Sequence, residues 1–523
     1  MRKCIYNQCM FFRLDSFALI GIDAIKVSVE VHISRGLPEF IIVGLPGKAV
    51  SESRQRVRSA VINSGFDFPV KKIIVNLSPA DIKKDGSFYD LPIALSILAA
   101  SGQIGCGMFK ESCFVGELSL DGNINTVKGL ISMAEQAQSM GKKFFFVPYE
   151  IANQASFISG LKIVACKSLS ESVEALAGGE KMEKFICKNK DKSVSNENNH
   201  YNFDFKDVKG QLKAKRALEI AVSGRHNIML IGPPGSGKTM LAQRAVTVMP
   251  DLNLEECIEV TKIYSLYEKF VNCLIQKRPF RNPHHTISRV GLIGGGISPR
   301  PGEISLAHKG LLFLDEFSQF PKNFIEDLRQ PLESREVIIT RNHMSYSFPC
   351  NFMLIVATNP CYCGYFGDES KKCICSLREV RKFWKKISGP VIDRIDMRVT
   401  VARLSESSFI KNECSEGSNQ IKNRIRKCIN MQNLRFQGKS VSYNSEIGIN
   451  IISEWLKNDK SIRELICTIS RKYNLTARGT VSILKVSRTI ADLEESNDIK
   501  ERHIIEAVHY RVGSNNLDSS ICI

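Results

Sequence analysis

Short apolar runs bounded by turn residues recur in the second half of the chain. Residues 228–231, 310–314 and 352–358 are almost entirely apolar, which is the pattern of strands buried on both faces of a parallel sheet. A helical period follows the first run over residues 240–248. Alternating buried strands and helices predict a doubly wound α/β core.

The first half of the chain carries a different pattern. Apolar residues alternate with polar ones at residues 26–33 and in the run 72–77, and helical periods follow at residues 50–63 and 91–100. Residues 116–122 predict a tight hairpin before a helix over 127–140. We therefore expect a separate α/β domain over residues 1–177.

Two further segments complete the predicted organisation. Residues 178–202 are rich in Lys, Asn, Glu and Ser, as in flexible linkers. Helical patterns over residues 407–482 and 499–512 predict a helical lid that closes over a ligand. The predicted boundaries are a linker at 178–202, an α/β core at 203–402 and a helical domain at 403–523.

The strongest chemical motif follows the first apolar run and matches the phosphate-binding pattern G-x-x-x-x-G-K-[ST]. Backbone N–H groups of such a loop converge on phosphates, its lysine reaches the β- and γ-phosphates, and its threonine ligates Mg²⁺. The motif predicts that the chain binds ATP with Mg²⁺. Its residues are Gly232, Pro233, Pro234, Gly235, Ser236, Gly237, Lys238 and Thr239.

Polar residues end the other two apolar runs. Asp315 is expected to hold Mg²⁺ through water, and Glu316 to orient and deprotonate the attacking water. Asn359 follows the third run, where its amide could position the same water. This order of strands, carboxylates and asparagine resembles that of an AAA+ ATPase.

AAA+ proteins work as rings, so an arginine for the neighbouring subunit's γ-phosphate is expected. Arg394, flanked by acidic residues, is the candidate, and a surface salt bridge is the alternative. Arg478 opens a helical pattern over 481–493 and is the candidate for a second nucleotide-sensing arginine. Basic residues are plentiful, so an ordinary surface arginine is the alternative there.

Three longer segments resemble the ComM/YifB family of magnesium-chelatase-like AAA+ proteins: residues 278–286, 299–308 and 359–364. The resemblance implies a hexameric ATP-driven motor that branch-migrates DNA during integration of transforming DNA, as a helicase or translocase; for YifB members the role is less settled. The alternatives are a magnesium-chelatase-type motor subunit and an ATP-dependent regulator or protease-like remodeller.

The N-terminal domain resembles the α/β domain of Lon proteases. In those enzymes a serine follows an Asp-Gly pair by two residues and works with a lysine on a later helix. Here Phe88 stands at the serine's place after Ser87, and residues 131–133 lack a lysine. Without an amine to accept its proton, Ser87 is an ordinary hydroxyl, so we expect the domain to be proteolytically inactive.

Net charge and composition are compatible with a polyanionic partner. The 523-residue chain carries a formal charge of +18, which favours DNA, although a generally basic proteome would also account for it. No apolar stretch approaches the roughly 18 residues that span a bilayer, and the first residues do not resemble a signal peptide. These features predict a cytoplasmic protein with mostly reduced cysteines.

Four of the seventeen cysteines form two close pairs: Cys361 with Cys363, and Cys373 with Cys375. Four thiolates at this spacing could hold one Zn²⁺ and stabilise a loop that has no core of its own. Unrelated or redox-active thiols are the alternative.

Two insertions contain candidate DNA contacts. The first carries Arg300 and a triple glycine at 294–296, which predicts a mobile loop tip. The second predicts a β-hairpin over 337–349, with Arg335 and Arg341 gripping phosphates in the pore of a ring. The neighbouring His284 and His285 could instead form a metal site.

Overall fold

The strand and helix periods of the sequence are realised in a computed structural model, which describes residues 11–187, 201–267, 273–296, 299–341, 344–368, 370–387, 389–403, 416–439, 441–458 and 460–512. The described residues divide into two units. The first comprises those within Met1–Ser195, Leu254–Ile275 and Thr340–Phe348, and the second comprises those within Asn196–Asn253, Gln276–Ile339 and Pro349–Ile523.

A seven-stranded mixed sheet forms the centre of the first unit. Its order is β3-β4-β2-β1-β5-β8-β9, and β6 pairs with β7 in a separate hairpin. Strands β1 and β2 pair antiparallel, whereas β5, β8 and β9 run parallel. The strands are β1 (Phe11–Ile20), β2 (Asp23–Ser34), β3 (Glu39–Val43), β4 (Lys72–Ser78), β5 (Ser112–Phe114), β6 (Glu117–Leu118), β7 (Ile124–Asn125), β8 (Phe144–Pro148) and β9 (Lys162–Cys166).

The helices of this unit differ in how much of their surface they bury. The first helix is amphipathic and buries Val50, Val57 and Val61 at helical spacing, whereas every residue of the second is buried. These helices are α1 (Lys48–Asn63), α2 (Asp90–Ala100), α3 (Leu130–Ser139), α4 (Ala152–Ala155), α5 (Leu169–Leu176) and α6 (Glu180–Glu183).

The beginning of the predicted linker is ordered. Helix α6 lies within it, and the backbone N–H of Cys187 donates to Ile163 while Phe185 accepts from Ala165, so the chain follows β9. The apolar side chains of Phe185 and Ile186 favour this packing over a solvated connector. Residues 188–200 of the prediction lie outside the described residues.

A helix that lies between two strands of the ATPase-like part of the sequence belongs to the first unit. This helix, α9 (Leu254–Tyr267), packs against α3. Lys262 donates to Glu135 of α3 at 2.6 Å, and Val260 and Ile263 are fully buried. The predicted domain boundaries do not include this association.

The second unit contains a five-stranded parallel sheet in the order β11-β14-β17-β10-β18. Alternate residues face opposite layers: Ile228 and Leu230 belong to one buried cluster, and Met229 and Ile231 to the other. This burial on both faces explains the uninterrupted apolar runs. The strands are β10 (Ile228–Ile231), β11 (Phe280–Arg281), β14 (Leu311–Leu314), β17 (Met353–Thr358) and β18 (Met397–Thr400).

Helices cover both faces of this sheet, as in a doubly wound fold. The segment predicted as helical over 407–482 contains three helices and the start of a fourth, separated by short breaks; its residues 407–415 lie outside the described range. The unit's helices are α7 (Leu212–Gly224), α8 (Lys238–Val248), α10 (Arg289–Ile293), α11 (Glu303–Leu306), α12 (Lys322–Asp327), α13 (Arg329–Ser334), α14 (Leu377–Lys386), α15 (Gly389–Ile392), α16 (Ser418–Phe436), α17 (Ile449–Asn458), α18 (Lys460–Lys472), α19 (Ala477–Leu493) and α20 (Glu501–Val512).

Both predicted insertions contain paired strands. Strand β12 (Gly294–Gly295) pairs antiparallel with β13 (Arg300–Pro301), so the triple glycine begins in a strand and not in a free loop tip. A Cβ atom on Gly294 would lie 2.3 Å from the Arg300 carbonyl oxygen, which explains the glycine. The second hairpin consists of β15 (Glu336–Arg341) and β16 (Met344–Pro349), and residues 342–343 between them lie outside the described residues.

Among the described helices, none combines the length and apolar character needed to cross a membrane.

One buried ion pair links α1 and α2 in the first unit. Asp90 is fully buried and accepts from Arg56 at 2.6 Å and from the Leu118 backbone N–H at 3.2 Å. Arg56 is therefore a structural residue. We expect Asp90→Ala to lower the free energy of unfolding by about 3 kcal/mol, because it leaves these donors without an acceptor. Urea unfolding followed by circular dichroism measures this. An effect no larger than that of Asp67→Ala, an exposed carboxylate of the same unit, would contradict it.

Candidate functional site

The phosphate-loop motif lies between β10 and α8, as its sequence context predicts. Gly235 and Gly237 adopt left-handed φ values of 77° and 87°, which glycine permits without strain. A Cβ atom on Gly232 would lie 2.3 Å from the Val401 carbonyl oxygen, so glycine is needed there for close packing. The hydroxyl of Ser236 is buried and has no hydrogen-bond partner among the described residues, as expected of a group that meets a ligand.

Lys238, at the start of α8, points back into the loop. Its ammonium group donates to the carbonyl oxygens of Gly232 at 2.7 Å and Pro233 at 2.9 Å, and to Asn359 Oδ1 at 3.3 Å. Burial lowers the pKa of Lys238, and the charges of Asp315 and Glu316 oppose this effect only partly. The loop therefore holds a desolvated cation where phosphates would bind.

Thr239 and the carboxylate after β14 meet in the structure. The Thr239 hydroxyl donates to Asp315 Oδ2 at 2.6 Å. A hydroxyl and a carboxylate at this distance supply the oxygen ligands that Mg²⁺ prefers, so the residues present fit the predicted ion.

Glu316 has a more exposed side chain than its neighbour. Its backbone is left-handed, with φ of 49°, and its carboxylate lies 3.9 Å from His285 Nδ1. From its sequence context alone, His285 is expected in a DNA-contacting or metal-binding insertion. Its position after β11, beside β14, is the signal that could have indicated a contact with the carboxylate pair.

Asn359 lies at the end of β17, which runs between β14 and β10. This position brings its side chain to Lys238. The described structure thus brings together Lys238, Thr239, Asp315 and Asn359 at one edge of the sheet, with Glu316 next to Asp315.

The two predicted nucleotide-sensing arginines contact one carboxylate. Arg394 and Arg478 both donate to Glu333 Oε1, the second at 2.6 Å. They line a cavity of about 710 Å³ together with Arg225, Arg335 and other charged residues. Glu333 was not singled out in the sequence, because nothing local marks it as the partner of arginines far along the chain.

The three candidate DNA-contacting arginines have different environments. Arg335 precedes β15, has φ of 59°, and forms an ion pair with Glu446 at 2.5 Å inside the same cavity. A phosphate contact by Arg335 would therefore require this pair to open. Arg341 in β15 and Arg300 in β13 are both exposed.

The four paired cysteines converge between β17 and α14. Their Sγ atoms all lie within 4.8 Å of one another, with 3.3 Å between Cys361 and Cys363 and 3.7 Å between Cys361 and Cys373. Sulfurs bound tetrahedrally to one zinc ion lie about 3.8 Å apart, given Zn–S bonds of about 2.3 Å. The arrangement therefore fits four thiolate ligands of one ion.

Backbone groups of the loop favour a thiolate at Cys363. Burial acts to raise the pKa of Cys363, but backbone hydrogen bonds from Tyr365 and Ile374 and the neighbouring thiols outweigh it and lower the pKa to about 6. Burial raises the pKa values of Cys361, Cys373 and Cys375, so Cys363 alone among these four thiols is favoured as a thiolate by the loop itself.

The Lon-like region contains no serine–lysine contact among the described residues around Ser87. The Ser87 hydroxyl donates to Glu117. Ile131 and Met133 are fully buried, and Ser132 donates to the Ile22 carbonyl oxygen at 2.5 Å. The proteolytic inactivity of this domain stays a prediction.

A phosphate loop, a Thr–Asp pair and a strand-end asparagine on a parallel sheet define an AAA+ ATPase module. Family models match in three places: "Magnesium chelatase, subunit ChlI" at residues 204–409, "Subunit ChlI of Mg-chelatase" at 29–151, and "Magnesium chelatase, subunit ChlI C-terminal" at 415–511.

Similarity to curated proteins extends over almost the whole chain. Competence protein ComM of Haemophilus influenzae is 40% identical over 499 residues, covering 95% of this chain and 96% of ComM. Protein YifB of Escherichia coli, described as uncharacterised, is 38% identical and covers 94% of this chain and 96% of its own. The chain therefore belongs to the ComM/YifB family of magnesium-chelatase-like AAA+ proteins. Lon protease 2 of Bacillus subtilis is 25% identical over 41% of this chain, which supports a relation to Lon proteases.

The contacts of Lys238 predict a loss of nucleotide binding in Lys238→Ala. Removing a charged hydrogen-bond donor to phosphate costs about 2 kcal/mol or more, so the Kd for ATP should rise at least about 30-fold. Titration with a fluorescent ATP analogue measures the change. Lys322→Ala, which alters an exposed lysine of α12, serves as the control, and equal affinity of the two variants would contradict the assignment.

Proposed function

We propose that this protein is an ATP-hydrolysing motor that works on DNA as a hexameric ring. The observation that carries the proposal is the meeting of Lys238, the Thr239–Asp315 pair and Asn359 at one sheet edge, beside Glu316. Phosphate binding, metal binding and water activation each have a residue there.

The residues divide the chemistry among themselves. The loop N–H groups and Lys238 would bind the phosphates, and Thr239 and Asp315 would hold Mg²⁺, which neutralises phosphate charge when bound. Glu316 would accept the proton of the attacking water, while Asn359 orients that water. His285, 3.9 Å from Glu316, is placed to position the carboxylate.

Ring assembly is part of the proposal because, among the described residues, neither sensing arginine forms a hydrogen bond with the phosphate loop. Arg394 and Arg478 pair with Glu333, whereas Lys238 contacts Asn359. We infer that Arg394 exchanges Glu333 for the γ-phosphate of a neighbouring subunit's ATP, as an arginine finger does. Arg478, held by the same carboxylate, would respond to the same nucleotide.

DNA is the proposed substrate on two grounds. The net charge of +18 favours a polyanion, and a similar protein is named competence protein ComM, of the family whose resemblance implies work on DNA. Helicase or branch-migration activity is the specific function we propose, with single-stranded or branched DNA as the partner and Arg341 and Arg300 as exposed phosphate contacts. We place this activity in the cytoplasm, and we include a Zn²⁺ ion at the four cysteines.

An ATPase assay with and without single-stranded DNA tests the function. We expect DNA to stimulate hydrolysis by the wild-type protein.

Glu316→Gln should still bind ATP but hydrolyse it at least about 100-fold more slowly, because the water loses its base. Glu326→Gln, an exposed carboxylate on α12, is the control. Hydrolysis by Glu316→Gln at the wild-type rate would show that another residue is the base, and indifference to every DNA form would count against a DNA motor.

Mixed rings test whether Arg394 acts across subunits. Arg394→Ala and Lys238→Ala should each be inactive alone, because one lacks the finger and the other cannot bind ATP. Mixed, an intact Arg394 from one subunit can face an intact phosphate loop of the next, so the ATPase rate should partly recover. Arg329→Ala, which alters an exposed arginine of α13, should keep activity without mixing. If no mixing ratio restores hydrolysis, the finger does not act in trans.

A further inference from the structure

The loop that carries the four cysteines packs against the phosphate loop. A Cβ atom on Gly364 would lie 2.7 Å from Pro234 Cδ and 3.9 Å from the Asn359 side chain. Gly364 lies between Cys363 and the rest of the loop, and its N–H donates to the Cys361 carbonyl oxygen at 3.1 Å. One short turn therefore contacts cysteines, phosphate loop and Asn359 together.

Contacts with α14 also hold this loop in place. The indole N–H of Trp384 in α14 donates to the Pro360 carbonyl oxygen at 3.1 Å, and Ser376 caps α14 directly after Cys375. Between these anchors Cys361 is buried, Phe366 and the other three cysteines pack against the same buried cluster, and the four sulfurs bring the two ends of the loop together. A bound metal would supply that connection.

We propose that a zinc ion at Cys361, Cys363, Cys373 and Cys375 makes this loop a rigid support for Pro234 and Asn359, so that metal binding determines how the site hydrolyses ATP. The inference rests on the proposed ATPase function and on the zinc ion included in it. On binding, the four thiols lose their protons and their sulfurs bind one Zn²⁺.

Two glycines of the loop allow the contact with the phosphate loop to be tested without removing a metal ligand. Gly364 and Gly367 both have left-handed φ values, of 85° and 78°, so alanine strains the backbone at either position. The new Cβ would press on Pro234 at Gly364, whereas no atom of the described residues lies within 4 Å of the corresponding position at Gly367. The two alanine variants therefore share the same type of backbone strain, and they differ in whether the new Cβ contacts the phosphate loop.

The experiment compares wild type, Cys373→Ser, Gly364→Ala and Gly367→Ala as full-length proteins. Each is analysed for zinc by mass spectrometry, for ATP affinity by titration, and for kcat and KM of ATP hydrolysis. We expect one zinc per chain in the wild type and both alanine variants, and a loss of zinc in Cys373→Ser. Gly364→Ala and Cys373→Ser should lower kcat about tenfold or more, with a smaller change in ATP affinity, because the positioning of the site has shifted. Gly367→Ala should stay within about twofold of wild type.

Each contrary result has a distinct meaning. Wild-type protein without zinc, prepared without chelator, would overturn the metal site. Zinc present in all glycine variants with equal kcat for Gly364→Ala and Gly367→Ala would overturn the support role. Absence of hydrolysis in the wild type would refute the proposed function instead, since zinc content and ATP affinity are measured independently of turnover.

Discussion

A buried ammonium group whose described hydrogen bonds all go to neutral oxygens is the constraint on which the second unit depends. Removing a charge from water costs several kcal/mol unless hydrogen bonds replace the water. Lys238 obtains them from two carbonyl groups of its own loop and from Asn359. The loop must therefore curl over its lysine, and β17 must lie beside β10. Because no carboxylate in the described part of the chain touches the ammonium group, its charge remains available to an anionic ligand.

The parts of the site that the sequence predicts are those set by strand order. Asp315 and Asn359 each follow an apolar run, and the carboxyl ends of parallel strands share one edge of a sheet, so their proximity to Lys238 follows from the pattern. The parallel sheet confirmed the fold class, and the similarity to known proteins confirmed the family resemblance. Helix and strand types were correct, while the division of the C-terminal helices was less clear from periodicity.

Contacts between distant surface segments were not predictable. Glu333 meets Arg394 and Arg478 across separations of 61 and 145 residues, and Arg335 meets Glu446 across 111. Charged residues are common along the chain, so no local pattern selects these pairs.

The structural reason for a glycine is also ambiguous when it is read from sequence alone. The residue signals that the backbone needs freedom or space at Gly294, but not that a second strand approaches there.

The placement of α9 determines how the protein can be divided. The chain leaves the second unit after Asn253, contributes α9 to the first, and returns at Gln276. A fragment beginning at residue 203 would keep α9 but lose α3, so the buried face that includes Val260 and Ile263 would be exposed to water. Such a fragment is an incomplete fold prone to association, and the ATPase half cannot be cut out at the linker as an independent domain.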